Sequence, residues 1–63
     1  MFTIIIKTTA GWTDNLGPGP NEWATEEEAN RAIADLQSVG FSSDPDDWKI
    51  VPADRIESYD LVA

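Results

Sequence analysis

Asp44-Pro45-Asp46-Asp47 is where side chains of this 63-residue sequence come closest to a cation-binding pattern. A calcium loop needs oxygen ligands at fixed spacing, a glycine for its sharp turn and a distal bidentate Glu. Asp44 and Asp46 have the first spacing. Trp48 occupies the next ligand position, and the glycine and distal Glu are absent. No metal site is expected. Gly17-Pro18-Gly19-Pro20 superficially suggests a phosphate loop, which cradles an anion with successive backbone N–H groups. Two of these four residues have no N–H, no Walker-type lysine follows, and the surroundings are acidic. A rigid turn is expected instead. A pair of carboxylates can do acid–base work only when one member is desolvated in a cleft, and here the acids fall in a helix first turn and in loops. Ser hydroxyls, Tyr59, Lys7 and Lys49 have no imidazole to act as base, because the chain contains no His; it contains no Cys either. That removes thiol catalysis, disulfides, Cys/His zinc sites and His-based triads. A chain this short also has little material for a substrate pocket of roughly 300 Å³ or more. Neither enzymatic activity nor a cofactor is expected.

What remains is charge and aromatic surface. Twelve Asp and Glu face four Lys and Arg, for a formal charge of -8. Direct nucleic-acid binding is disfavoured, since phosphate contacts need Lys or Arg and Lys7, Arg31, Lys49 and Arg55 are scattered. The negative field suits either solubility or recognition of a basic protein surface, where carboxylates substitute for phosphates. Glu22, Glu26, Glu27, Asp44, Asp46 and Asp47 are the expected acidic face. Trp12 sits beside Gly11 in a polar stretch with no periodicity to bury it. Trp is enriched among interface hot spots, so Trp12 is the expected apolar anchor for a partner or a second copy. Trp48 is expected in the core, and Trp23 over the helix–sheet seam.

The elements that position these residues form one small domain spanning residues 1–63. With 41% apolar residues and 25% charged, the composition is that of a folded domain. Phe2 to Thr9 reads as a strand: Thr3 to Ile6 are all β-branched, with Phe2, Ile4 and Ile6 on the core face and Thr3, Ile5 and Lys7 on a mixed, partly solvated face. Ala10 to Asn21 reads as a connection, and Glu22-Trp23-Ala24 as a short strand pairing back onto the first. Thr25-Glu26-Glu27-Glu28 is a capping box, in which Thr25 takes an orphan N–H and Glu28 reaches back to the Thr25 amide. Ala29, Ala32, Ile33, Leu36 and Val39 then form one helical stripe. Gly40-Phe41 matches a Schellman stop, and Glu27 with Arg31 a favourable i,i+4 pair. Ser42 to Asp47 is an acidic loop. Trp48 to Val51 is a strand with Trp48 and Ile50 inward, ended or bulged by Pro52. Ser58 to Val62 alternates as a terminal edge strand with Tyr59 and Leu61 inward. The fold class is α+β: one helix on a small antiparallel or mixed sheet of three to four strands, in β-(β)-α-β-β order.

The apolar run from Phe2 to Ile6 is interrupted by Thr3 and stopped by Lys7. It is too short for a signal peptide or a membrane helix, so a cytoplasmic protein without a membrane partner is expected. With a strand from residue 2, a Thr25-Glu26-Glu27-Glu28-Ala29 helix start, Gly40-Phe41 and Trp48-Lys49-Ile50-Val51, the layout resembles small acidic proteins encoded by phages and mobile elements, among them anti-CRISPR-like inhibitors. The resemblance implies a stoichiometric, non-catalytic inhibitor that occupies the basic groove of nucleic-acid-binding machinery. It carries over no motif residue by residue and so identifies no site. The expected function is thus a non-enzymatic acidic protein-binding module. The alternative is a small structural or assembly protein that self-associates, for instance as a homodimer, through its sheet.

Overall fold

In the computed structural model, which describes residues 1–16 and 21–62, the β-branched run becomes the central strand of the sheet. Strand β1 (Phe2–Thr8) lies between β2 (Gly11–Thr13) and β3 (Trp48–Pro52), and both pairings are antiparallel. Helix α1 (Glu26–Ser38) packs on one face, giving a small α+β fold in β-β-α-β order. The turn expected at Gly17 to Pro20 lies outside the described residues.

The second strand is not where the sequence pattern put it. Residues 11–13, read as part of a connection, pair with Ile6, Lys7 and Thr8 through a tight Thr9-Ala10 turn. Thr8 specifies that turn: its Oγ1 donates to Gly11 O (2.7 Å) and accepts from Ala10 N (3.2 Å). Gly11 takes φ 127°, a conformation open to a residue without Cβ. The expected strand at 22–24 contracts to a single bridge. Phe2 and Trp23 exchange two backbone hydrogen bonds of 2.7 and 2.8 Å. Between this bridge and β2, the Asn21 side-chain amide donates to Ile4 O and Asp14 O.

The helix starts and stops as its sequence dictates. Thr25 is the N-cap, its Oγ1 accepting from Glu28 N at 3.1 Å. Glu28 reaches one residue further back than a standard capping box, with Oε2 accepting from Ala24 N rather than from Thr25 N. At the other end Phe41 N donates to Leu36 O and Gly40 N to Gln37 O, with Gly40 at φ 113°. These are the two hydrogen bonds of a Schellman motif. Ala29 is fully buried and Ala32, Ile33 and Leu36 pack beside it, but Val39 is 73% exposed and leaves the stripe. As the C-cap residue, Val39 no longer follows helical rotation. Thr25→Ala should cost about 0.5–2 kcal/mol. Urea denaturation checks this, and an unchanged midpoint at unchanged slope would contradict it.

Both faces of β1 are covered. On the helix side Ile4, Ile6, Trp48 and Ala29 form the core, extended by Leu16, Trp23, Ile33, Leu36, Phe41 and Ile50. On the other side Thr3, Ile5 and Val51 are also buried, with Ile5 0% exposed, while Lys7 and Lys49 are exposed, so the expected mixed face is solvated only at its lysines. The cover is the C-terminal segment, which forms no regular edge strand. A 3-10 helix, Ala53–Ser58, packs against β1 and β3. Tyr59, Leu61 and Val62 follow, half-buried. Leu61 makes only an isolated parallel bridge to Trp12, with Val62 N donating to Trp12 O at 2.8 Å. Pro52 ends β3, and Ala53 N is anchored to Met1 O at 3.0 Å. No helix among the described residues is long and apolar enough to cross a membrane.

Candidate functional site

The pairings fix how α1 lies along β3. Phe2 is partnered by both Pro52 and Trp23, and Trp23 stands two residues before the Thr25 cap, so the helix starts level with the Pro52 end of β3 but on the β2 side of β1. Phe41, just past the helix, packs tilted on Trp48 with ring centroids 6.2 Å apart, so the helix ends at the Trp48 end. Along this side runs a groove of about 340 Å³ floored by Trp48, Ile33 and Ile50 and rimmed by Asn30, Ala34, Gln37 and Pro45. It is open to solvent, and among the described residues no carboxylate lines it.

The expected acidic residues collect at its two ends. Glu26 and Glu27 precede Asn30 by four and three residues, which places them one helical turn beyond it on the same side. Both are exposed, as is Glu22 before the helix, and Glu27 carries the Arg31 ion pair at 2.9 Å. Asp44 and Asp46 flank Pro45 at the other end and are also exposed. The Ser42–Asp47 segment is more ordered than an acidic loop. It contains a 3-10 turn, Pro45–Asp47, in which Asp44 Oδ1 accepts from Asp46 N at 2.9 Å. Asp47 is half-buried and accepts from Ser42 Oγ at 2.7 Å, while Trp48 Nε1 donates to Ser42 O at 2.9 Å. Asp44 and Asp47 therefore serve the turn itself, and Asp46 is the carboxylate left free by these bonds. Among the described residues no three acidic side chains gather as a metal-ligating group.

Trp12 lies apart from these acids. Through its pairing with Lys7 it belongs to the sheet face turned away from α1. It is half-buried on a strand rather than exposed on a loop. Lys49 Nζ sits 4.9 Å from the centroid of its ring and 5.9 Å from that of Tyr59. Such a contact contributes about 0.5–1 kcal/mol at an exposed lysine.

Two features escaped the reading of the sequence. The first is the groove, whose only trace is small Ala34 between Asn30 and Gln37 at helical spacing. The second is a segregation of charge that the residues do display. Eight of the twelve acids, against Arg31 alone, lie between Asn21 and Asp47, the part of the chain that carries α1 and the 3-10 turn. The rest of the chain has four acids against three bases. Comparison with protein-family models, with curated proteins and with solved structures gave no match.

Proposed function

We propose that this protein is a non-enzymatic binding module whose acidic helix-side layer engages a basic surface of a partner protein, of the kind that otherwise holds nucleic acid. The observation that carries the reading is the segregation of charge: the layer built from residues 21–47 holds nearly all of the -8. A stoichiometric inhibitor, as the resemblance to phage-encoded proteins implies, would work in this way without catalysis. Charge of this kind acts mainly on encounter rate and is weakened by salt.

The residues for the test follow from the hydrogen bonds. Reversing Asp44 or Asp47 would break the 3-10 turn, so Glu22, Glu26 and Asp46 are the cleaner set. Changing these three to Lys takes the formal charge from -8 to -2. Glu26 also complements the helix dipole, so its reversal should cost about 0.3–1 kcal/mol of stability. Against a partner isolated by pull-down, kon should fall and its dependence on salt should flatten, and nucleic acid should compete with the unmodified protein. Equal binding at low and high salt, unaffected by the triple change, would leave the acidity as a solubility device. Trp12→Ala should act through stability rather than through the partner's off-rate, given its place on the far face. The edge of β3, unpaired among the described residues, favours a second reading, assembly through the sheet. Mass measurement at micromolar concentration separates the two, because assembly requires more than a monomer.

A further inference from the structure

The outer edge of β3 carries backbone groups that the described chain does not use. Phe2 spends its N–H and C=O on Trp23, on the β2 side of β1. Backbone groups alternate sides along a strand. Phe2, Ile4 and Ile6 therefore point theirs toward β2, and Thr3 and Ile5 point theirs toward β3. Thr3 with Val51 and Ile5 with Lys49 are then the hydrogen-bonded pairs of the β1–β3 ladder, and Ile50 between them turns its N–H and C=O outward. Trp48 N–H is taken by Pro45 O, and Pro52 has none. A short row faces outward: Trp48 C=O, Ile50 N–H, Ile50 C=O. Among the described residues no strand pairs with this edge.

The row borders the groove between α1 and β3. We infer that β3 accepts an extended segment of a partner protein as a fourth strand, and that this segment carries Lys or Arg on either side of a short apolar centre. The inference rests on the acidic-surface reading and gives it a binding mode. Backbone pairing supplies the attachment, and alternate side chains of the added strand enter the groove over Ile33 and Ala34. The charge requirement follows from the ends. Glu26 and Glu27 lie one helical turn before the rim residue Asn30, toward the Pro52 end, and Asp44 and Asp46 flank the rim residue Pro45 at the Trp48 end. A second copy is the poorer occupant. Antiparallel pairing of two β3 edges would set the Asp46 end of each copy against the Glu26 end of the other, with -8 on both.

The test uses the capped heptapeptide Lys-Lys-Val-Thr-Val-Lys-Lys, with amide hydrogen exchange and affinity as readouts. Saturable binding is expected, with exchange at the Ile50 amide slowed about tenfold or more and Lys49 and Val51 amides little changed. Ala34→Phe fills the groove from an exposed position, so the fold should survive while affinity drops about tenfold. N-methylation of the Ile50 amide in chemically synthesised protein removes the outward donor while keeping the side chain, and should weaken binding by a similar factor. The peptide Lys-Lys-Pro-Thr-Pro-Lys-Lys keeps the charge but cannot extend a ladder. If it binds equally well and Ile50 exchange is unchanged, strand addition is wrong while the acidic-surface reading stands. If Glu-Glu-Val-Thr-Val-Glu-Glu binds as tightly as the basic peptide, charge complementarity fails, and the acidic-surface reading with it. Protection of Ile50 that rises with protein concentration in the absence of peptide would make a second copy the occupant and overturn the inference.

Discussion

Ile5→Ala should leave the protein close to unfolded at 25 °C. Truncating a fully buried Ile costs about 2–5 kcal/mol, and a single core in a chain below ~70–80 residues rarely supplies more than about 3–5 kcal/mol. Ile5 is 0% exposed on the face of β1 turned away from α1, roofed by the segment from Ala53 to Val62. That roof contains no regular strand and is held at its ends by Ala53 N on Met1 O and Val62 N on Trp12 O. Circular dichroism against urea concentration measures the loss, and Ile5→Val, at about 0.5–1.5 kcal/mol, gives a folded reference. A loss well below 1 kcal/mol for Ile5→Ala would mean that this face is solvated and the roof loosely held.

Trp48→Ala should be as damaging, at about 3–5 kcal/mol. Its side chain belongs to the core on the helix side, packs on Phe41 and donates Nε1–H to Ser42 O. The truncation leaves a cavity under α1 and takes a donor from that half-buried carbonyl. Trp48→Phe separates the two losses, since it keeps a ring but not the donor. It should fall between wild type and Trp48→Ala, and it should also loosen the Ser42–Asp47 turn. A Trp48→Phe protein as stable as wild type would show that the Nε1 hydrogen bond contributes nothing net.

The parts of this fold legible in the sequence are those specified by neighbouring residues. The Thr25 cap, the Gly40-Phe41 stop and the β-branched run from Thr3 to Ile6 are local signals with local causes, and they predicted α1 and β1 closely. Trp48 to Val51 was readable for the same reason. What stayed hidden depends on contacts distant in sequence. Ile5 looked like one member of a mixed face, because alternation says which residues share a side but not what covers that side. The cover comes from residues some fifty positions later, which show no clean period. The hairpin at Thr9-Ala10 lacks the Asn-Gly or Asp-Gly pair that announces a two-residue turn; it is set by the Thr8 hydroxyl instead. Trp12 was misplaced with it, as a loop residue rather than a strand residue beside Lys49. The acidic residues were named correctly as exposed groups except Asp47, whose bond to Ser42 Oγ half-buries it. Their gathering at two ends of one groove needed the direction of α1 against β3, which no single segment encodes.

Strand β1 is made before β3, yet it is the strand every other layer must find. Trp48 is the fortieth residue after Thr8 in the chain, so at ~5–20 residues per second a ribosome needs roughly 2–8 s to deliver β3 after β1. Through that interval one edge of Thr3-Ile4-Ile5-Ile6 has no partner strand, and one face has no roof. A β-branched apolar segment in that state is a template for pairing with its counterpart on a neighbouring nascent chain. The residues emerging meanwhile are the most acidic in the molecule, from Glu22 to Asp47. Their like charges oppose such pairing until β3 arrives, whatever the charge does in the folded protein.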